Sequence, residues 1–423
     1  MDQRSKKHMH STTIPVRHRE QPSEVAMKLL AHDVDAHEMI PSTRLGDYFG
    51  QAGRIMGAVF EAADRLRPDP TDTNMHVEVD DTMEITDDNV WKVKGPKAPS
   101  AIDLNRRVEV LDAMGIEKQL VFPTTAIAAM MVGGMTDFGF EQRFGNDTSM
   151  FEGISRPEFA AMFVRAYNDW AIENATLHDG RIRVVGIIPT DANDVNVMID
   201  EVKRLIDGGV KAVYLQADIP PGGVSPAHST LDPLWRLLEE NDVAVTLHIG
   251  TEFFFLDPRW TFAETFQDLF QSPEIPNTNI GMFATCHMAI DNYLSAMVLG
   301  GVFERFPRLR MGLFEVGAHW VGPAARRMDM YCKVFPGAAA AKMPMKPSEY
   351  VARNVRVSPF NFEPVDRYIQ DDPELADVFC YSTDYPHVEG TKDSMNNMLA
   401  KVEPLGEEIT TKFFRTNAEW LLP

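Results

Sequence analysis

Residues 231–248 have the sequence LDPLWRLLEENDVAVTLH, a helical pattern followed directly by a short apolar run. In the first part, Leu231, Leu234 and Leu238 recur at the three- and four-residue spacing of an amphipathic helix over residues 231–241. The second part, residues 243–248, is rich in β-branched side chains, which is typical of a buried strand. A helix followed by a buried strand is the repeating unit of an α/β fold with a parallel sheet.

The same alternation recurs along the chain. Predicted strands cover residues 34–39, 119–122, 182–188, 212–215, 243–248, 311–315, 355–358 and 378–382. Predicted helices include residues 157–177, 195–206, 231–241 and 293–306. About eight strands alternating with helices is the pattern of a (β/α)8 TIM barrel, so we expect a distorted barrel of this kind.

Three long segments interrupt the alternation, at about residues 44–100, 124–156 and 250–283. The first is acidic and contains prolines, the second is rich in glycine and methionine, and we predict that both are loops after early strands. The third follows the fifth strand. Loops after barrel strands cover the active site, so these insertions are candidate lids, although plain surface decoration fits them equally well. We expect a flexible N-terminal tail over residues 1–30 and one barrel domain over residues 31–423.

The composition limits the classes of partner. The 423 residues include 62 acidic and 41 basic side chains, and the formal net charge of -21 opposes binding to nucleic acid or to an anionic membrane surface. The 3 cysteines form no CxxC motif, which fits a reducing compartment. No apolar stretch approaches the roughly 20 residues that span a bilayer. We therefore expect a cytoplasmic protein that acts on a small molecule.

Side chains of the metal-binding type stand at the ends of three predicted strands. Asp35 and His37 lie two residues apart on the first strand, so they point to the same side. His248 ends the fifth strand, and Asp384 follows the eighth. Each alone could be a core histidine or a helix N-cap, but together they predict one divalent metal site with room for water. Such ligands suit zinc, the first expectation, and manganese, the alternative.

Several motifs add a family resemblance to this pattern. They are residues 35–37 (Asp-Ala-His), 165–170 (Arg-Ala-Tyr-Asn-Asp-Trp), 301–310 (Gly-Val-Phe-Glu-Arg-Phe-Pro-Arg-Leu-Arg), 315–320 (Glu-Val-Gly-Ala-His-Trp) and 381–387 (Tyr-Ser-Thr-Asp-Tyr-Pro-His). From about residue 31 onward, the chain resembles the amidohydrolase-related (amidohydrolase 2) family. This branch of the metal-dependent amidohydrolase superfamily includes aminocarboxymuconate-semialdehyde decarboxylase, resorcylate-type decarboxylases, and hydrolases of meta-cleavage products and lactones.

The resemblance implies a distorted TIM barrel with one divalent ion and, by analogy, a homodimer or higher homo-oligomer. It implies Asp35 and His37 as first-strand metal ligands, His248 as the fifth-strand ligand and Asp384 as the eighth-strand ligand or base. The sequence departs from the family pattern twice. Many relatives have His-x-His where Asp35 precedes His37, and the best-known decarboxylases have an active-site histidine at the position that matches Glu315.

Further side chains are candidates for proton transfer or substrate contact. Near a metal ion, Glu315 could act as a general base, be a ligand or orient one, and a buried structural glutamate is the alternative. His287 and His319 are candidates for proton transfer, although a surface or packing role fits His287 as well. The candidates for substrate contact are His387, Trp320 and Arg44. Loop capping is the structural alternative for His387, and solvent exposure is that for Arg44.

The sequence therefore favours an enzyme. The leading hypothesis is a metal-dependent hydrolase of a small, aromatic-derived or cyclic carbonyl compound, in which a metal-activated water attacks the carbonyl and Asp384 or Glu315 moves the proton. The alternative is a metal-dependent decarboxylase of an aromatic or unsaturated carboxylic acid, with a proton from His287, His319 or protonated Asp384. The third hypothesis is a non-catalytic barrel that serves as a binding protein, and metal content distinguishes it from the other two.

Overall fold

The strands of this protein are short, buried and parallel. The computed structural model describes residues 30–65, 77–80, 82–189, 194–261, 263–266, 280–387, 390 and 393–422. The strands in that part of the chain are β1 Ala31–His37, β2 Ile116–Phe122, β3 Ile182–Val184, β4 Gly186–Ile187, β5 Ala212–Tyr214, β6 Ala244–His248, β7 Met311–Phe314 and β8 Val355–Val357. They form two parallel sheets, one in the order β1-β2-β3 and the other in the order β4-β5-β6-β7-β8.

The two sheets join into one barrel. On one side, β3 and β4 are consecutive and separated only by Val185, so the pair links β2 to β5. On the other side, residues 378–385 bridge the gap, with parallel bridges from Phe379 to β8 and from Tyr385 to β1. The predicted strand over 378–382 is therefore present only as a bridged, irregular segment. The regular strands fill seven positions of the barrel, because β3 and β4 together form one of them. The irregular segment fills the eighth position and completes the expected distorted (β/α)8 barrel.

Helices follow most strands. The α-helices in the described part of the chain are α1 Leu45–Arg65, α2 Asn89–Lys92, α3 Arg107–Met114, α4 Thr125–Gly134, α5 Asp137–Phe144, α6 Arg156–Asn174, α7 Val195–Asp207, α8 Asp232–Glu240, α9 Ile280–Thr285, α10 His287–Leu299, α11 Val302–Arg305, α12 Val321–Val334, α13 Pro347–Asn354, α14 Val365–Asp371, α15 Ser394–Val402, α16 Glu407–Thr411 and α17 Asn417–Leu421. No helix among them is long and apolar enough to cross a membrane.

The predicted helices lie within a few residues of α6, α7, α8 and the pair α10 and α11. Helix α6 begins with a capping box, in which the Ser155 hydroxyl accepts from the Glu158 N–H and the Glu158 carboxylate accepts from the Ser155 N–H at 2.8 Å. The single helix predicted over 293–306 is wrong in its bounds. Helix α10 begins six residues earlier, and the left-handed backbone of Gly301 (φ 70°) separates it from α11.

The insertions contain helices that the sequence analysis did not predict. Helix α1 occupies the start of the insertion at 44–100, and α4 and α5 occupy most of the insertion at 124–156. Helix α4 packs against α6 and against the short 3-10 helix Thr251–Phe254, which follows β6. Parts of the insertions, residues 66–76, 81, 262 and 267–279, lie outside the described residues, as do residues 1–29 of the expected tail.

Candidate metal centre

Six side chains with metal-binding chemistry converge at the carboxyl ends of the barrel strands. They are Asp35, His37, His248, Glu315, Asp384 and His387. Strand β1 supplies the first two, β6 ends at His248, and β7 is followed directly by Glu315. Asp384 lies in the segment that closes the barrel, and His387 lies two residues after it. The active sites of such barrels lie at this end, so the cluster is in the position that the strand pattern predicts.

Local backbone geometry turns two of these carboxylates toward the cluster. Glu315 and Asp384 both have left-handed backbone, with φ of 54° and 53°. For residues other than glycine this conformation costs about 1–3 kcal/mol each and is concentrated at functional sites. Glu315 directly follows β7, and Asp384 directly precedes the Tyr385 bridge to β1, so both lie where the backbone leaves the barrel.

Distances within the cluster match a shared metal ion. Nε2 of His248 lies 3.1 Å from Oδ1 of Asp35 and 3.2 Å from Oε2 of Glu315. Nε2 of His37 lies 3.6 Å from Asp35, 3.7 Å from Glu315 and 3.8 Å from Asp384. An ion about 2.0–2.2 Å from each ligand atom holds those atoms about 3–4 Å apart. The spacing therefore fits a divalent ion among these side chains.

Hydrogen bonding prepares both histidines for this role. Nδ1 of His248 donates to the carbonyl of Ile249 at 2.8 Å, which places its proton on Nδ1 and leaves Nε2 to face the carboxylates. His37 is 1% exposed, and neither of its ring nitrogens makes a hydrogen bond within the described residues. A buried polar atom without a partner is costly, and a metal ion would supply the missing interaction.

The electrostatics of the cluster also favour a cation. Burial, followed by the neighbouring His387, holds the pKa of His37 well below its usual value, so this imidazole is neutral. Burial raises the pKa of Asp35, but His248 and His37 outweigh it and lower that pKa overall. Burial lowers the pKa of His248, but the Asp35 carboxylate outweighs it and raises that pKa overall, so His248 holds a proton between the carboxylates. A divalent ion would take the place of that positive charge.

His387 connects the cluster to the insertion at 124–156. Its Nδ1 lies 3.2 Å from Oδ1 of Asp384, and its Nε2 lies 3.3 Å from the hydroxyl of Thr124, just before α4. Its ring stacks on that of His37 with the centroids 3.8 Å apart. His387 thus contacts both a candidate ligand and the loop before α4.

Asp33, which was not among the predicted site residues, holds the backbone next to two members of the cluster. The buried Asp33 carboxylate accepts hydrogen bonds from Thr383 N–H at 2.9 Å, from the Thr383 hydroxyl at 2.5 Å, from Gln119 at 2.8 Å and from Asp35 N–H at 3.2 Å. It therefore ties β1 to the segment that carries Asp384. The two-residue alternation that singled out Asp35 and His37 also includes Asp33, so the signal was present in the sequence.

His287 and His319 form a separate group. Their ring centroids are 4.9 Å apart, and the centroid of Trp320 lies 6.1 Å from that of His287. The side chain of His319 is 51% exposed, and its Nδ1 lies 3.6 Å from Glu363. Within the described residues, neither histidine contacts the six clustered side chains. The structure therefore places these two predicted proton donors in a pair of their own, with His287 at the start of α10.

Two predicted substrate contacts have local partners. The indole N–H of Trp320 donates to the carbonyl of Gly317 at 3.0 Å, and the side chain is buried. The guanidinium of Arg44 lies over the ring of Tyr48 at 5.7 Å and donates to its hydroxyl at 3.4 Å. Within the described residues, these two contacts do not involve the six clustered side chains.

Comparison with known proteins agrees with this fold. The family model described as amidohydrolase matches residues 72–423, most of the chain. No curated protein sequence gives a significant match. Among solved structures, an amidohydrolase from Mycobacterium avium subspecies paratuberculosis is similar with 19% identity and a TM-score of 0.64, over 93% of this chain and 98% of that one.

Two decarboxylases have the same fold. The 5-carboxyvanillate decarboxylase of Sphingomonas paucimobilis is 16% identical, with a TM-score of 0.55 over 93% of this chain and 99% of that one. A dihydroxybenzoic acid decarboxylase from a Polaromonas species, solved with bound manganese and an inhibitor, is 14% identical, with a TM-score of 0.53 over 93% and 96%. The family match, the barrel and the clustered ligand-type side chains agree, and the chain belongs to the amidohydrolase (amidohydrolase 2) family.

Proposed function

We propose that this chain is a metal-dependent hydrolase of a small, aromatic-derived or cyclic carbonyl compound. The observation that carries the proposal is the position of Glu315, whose Oε2 lies 3.2 Å from His248 and 3.7 Å from His37. A carboxylate this close to the candidate ligands is within reach of a water molecule that enters the cluster.

Asp35, His37, His248 and Asp384 would hold one divalent ion, zinc in the first instance and manganese as the alternative. A bound ion of this kind lowers the pKa of a water molecule to about 7 and polarises a carbonyl oxygen. The hydrogen bond from Nδ1 of His248 to the Ile249 carbonyl would keep Nε2 in the ligating form.

The protein side chains would carry the proton. Glu315 would accept it at Oε2 from the water that attacks the carbonyl carbon. The bond from that carbon to the leaving oxygen or nitrogen then breaks, and the same carboxyl returns the proton to the leaving atom. Asp384 is the alternative proton carrier because it also faces His37, at 3.8 Å.

A decarboxylase is the second candidate, and His387 favours it. A decarboxylation needs a proton donor for the carbon that loses carbon dioxide, and His387 is held by Asp384 beside the candidate ligands. Two proteins of the same fold are named for the decarboxylation of aromatic acids, and one of them contains manganese. These observations support the second candidate without deciding against the first.

Metal analysis followed by a reaction screen distinguishes these candidates. We expect about one equivalent of zinc or manganese per chain in protein purified without chelator. Incubation with panels of lactones, amides and aromatic carboxylic acids, followed by mass spectrometry, then identifies the reaction. A product heavier by one water supports the hydrolase, and loss of carbon dioxide from an acid supports the decarboxylase. Protein that neither contains nor binds a divalent ion would contradict both and favour a non-catalytic barrel.

The variant Glu315→Gln tests the role of the proposed base. It keeps the shape of the side chain but cannot accept the proton, so we expect kcat to fall by about 10²–10⁴-fold with the metal content unchanged. Glu304→Gln, at an exposed glutamate of α11, is the matched control and should leave kcat unchanged. Unchanged turnover in Glu315→Gln would remove Glu315 as the base, and loss of the metal would make it a ligand instead.

A further inference from the structure

A second group of polar side chains lies beside the metal-binding cluster, on the neighbouring strand and loop. In the parallel pair β5 and β6, Tyr214 is the register partner of Thr246. Register partners point to the same face of a sheet, and so do residues two apart, so Tyr214, Thr246 and His248 all point to the interior of the barrel. Tyr214 is therefore an interior side chain on the strand next to His248.

The chain after these strands adds three more polar side chains. Asp218 follows β5, and Thr251 and Glu252 follow β6. Tyr214, Thr251 and Glu252 are 0%, 1% and 2% exposed. Within the described residues, no hydrogen bond reaches the Tyr214 hydroxyl, the Thr251 hydroxyl, Oδ1 of Asp218 or either carboxylate oxygen of Glu252. We refer to these four side chains as the second polar group.

Mutual electrostatic effects show that the four are neighbours. Burial raises the pKa of Glu252 well above its usual value, and the charge of Asp218 raises it further. Burial, Glu252 and Asp218 raise the pKa of Tyr214, and Thr251 partly opposes them. Thr251 also interacts with Asp218. Nearby backbone N–H groups of Ala217 and Gly250 favour the ionised form of Glu252, and Thr251 and Gln216 favour that of Asp218. In the part of the chain that the structure describes, no basic side chain is among the groups that shift either pKa.

This arrangement destabilises the fold unless it binds something. Buried polar groups without partners cost about 1–3 kcal/mol each, and buried carboxyls without a cation cost more. The contrast with Asp33 is direct, because that buried carboxylate accepts four hydrogen bonds. Buried polar side chains that lack hydrogen-bond partners are concentrated at functional sites.

We infer that Tyr214, Asp218, Thr251 and Glu252 form a specificity subsite that binds a hydrogen-bond-donating substituent of the substrate, such as a hydroxyl or amino group. The inference rests on the proposed function, since the candidate metal centre would hold the reacting carbonyl or carboxylate while this subsite holds another part of the same molecule. The substituent would donate to Glu252 or Asp218 and accept from Tyr214 or Thr251. A second carboxylate at this place would meet two carboxyls and no cation, so the subsite would reject it.

The test uses probes that bind the metal whatever the reaction is. Benzohydroxamate chelates divalent ions through two oxygens, and its ring can carry a hydroxyl, an amino or a carboxyl group at the ortho, meta or para position. Each probe is titrated calorimetrically into metal-loaded protein. We expect at least one hydroxyl or amino isomer to bind about tenfold more tightly than the unsubstituted probe, and every carboxyl isomer to bind more weakly.

Variants locate the effect. In Glu252→Gln and in Tyr214→Phe, the gain from the hydroxyl or amino group should fall to less than about threefold, while the unsubstituted probe binds as before. Tyr293→Phe is the matched control. Tyr293 is also a buried tyrosine whose hydroxyl has no hydrogen bond in the part of the chain described, but its pKa is raised by burial and not by a neighbouring carboxyl of that part. This control should keep the full gain.

The outcomes separate the two proposals. If the unsubstituted probe does not bind to protein that contains its metal, the metal-centre assignment fails, and the inference fails with it. If that probe binds but no substituent improves the affinity, or if Glu252→Gln keeps the gain, the subsite alone is overturned while the proposed function stands. A second equivalent of metal that Glu252→Gln removes would also overturn the subsite, because the group would then bind a cation.

Discussion

Asp33 and Glu252 are both buried carboxyls, but they differ in their hydrogen-bond partners and therefore in their roles. Asp33 is enclosed by Thr383, Gln119 and the backbone of Asp35, and its four hydrogen bonds offset part of the cost of its burial, which still raises its pKa to about 7. Glu252 is buried to the same degree but accepts no hydrogen bond within the described residues. The first therefore fastens two strands together, and the second is left to meet a ligand.

His248 is the residue whose loss should affect the metal most directly, because its Nε2 lies within 3.2 Å of two carboxylates. We expect His248→Ala to weaken metal binding by more than about tenfold, since removal of a residue that only supports a ligand already costs about that much. Competition with a chromogenic chelator measures the affinity. His228→Ala, at an exposed histidine that interacts with Thr230, is the control. Equal metal affinity in both variants would contradict the assignment of His248 as a ligand.

The sequence could identify Asp35, His37, His248 and Asp384 as a group because strand alternation and strand ends are local patterns. The structure brings these four together. Tyr214 and Glu252 could not be found in the same way. Their significance depends on which face of β5 points inward and on how deeply the loop after β6 is covered, and both depend on tertiary packing. The same limit applies to Arg44, whose guanidinium donates to the hydroxyl of Tyr48 in the structure.

At the scale of elements, α4 shows why an insertion was mistaken for a loop. Residues 125–134 contain two glycines at the end and apolar side chains on nearly every face, so no amphipathic period marks the helix. The helix is nevertheless stable in the fold because most of its side chains are buried and it packs against α6. A helix that is apolar all round is the expected form for an element covered on both sides.

Glu38 fastens α4 to the end of β1. Its buried carboxylate accepts from the N–H groups of Thr124 at 3.0 Å and Thr125 at 3.4 Å, at the N-terminus of α4. We expect Glu38→Ala to cost about 1–3 kcal/mol, because those N–H groups lose their acceptor in a buried place. Hydrogen exchange followed by mass spectrometry should show faster exchange in α4.

The control for this prediction is Glu158→Ala, which removes the capping box of α6 instead. It should accelerate exchange at the start of α6 and leave the start of α4 protected. If Glu38→Ala leaves exchange in α4 unchanged, the carboxylate does not hold the helix, and Thr124 would then need another explanation for its position beside His387.

On the scale of the whole molecule, the candidate metal centre lies where the two sheets of the barrel meet. Asp35 and His37 come from the three-stranded sheet, and His248 and Glu315 come from the five-stranded sheet and its end. Asp384 lies on the irregular segment that joins the two. A bound ion would therefore cross-link the closure of the barrel and stabilise the folded state by mass action. The homo-oligomer that the resemblance implies stays a prediction.

The second polar group should reveal itself in the pH dependence of global stability. The pKa of Glu252 is raised well above 4.5, chiefly by burial and then by Asp218, so the folded protein binds this proton more tightly than the unfolded chain. A carboxyl of this kind favours folding at low pH, and its contribution declines as the pH rises above about 4.5 toward the folded pKa. Glu252→Gln removes the titration while it keeps the size of the side chain.

We therefore expect Glu252→Gln to match the natural protein in urea unfolding at pH 5 and to be more stable than it at pH 8. Chelator is present throughout, so that release of a metal does not contribute. Glu240→Gln, at an exposed position on α8, should unfold like the natural protein at both pH values. If Glu252→Gln is instead less stable at pH 8, the ionised carboxylate stabilises the fold, and Glu252 is a structural residue. If the expected gain is found, this buried carboxyl costs the protein stability at neutral pH, which is the relation that a binding residue would have.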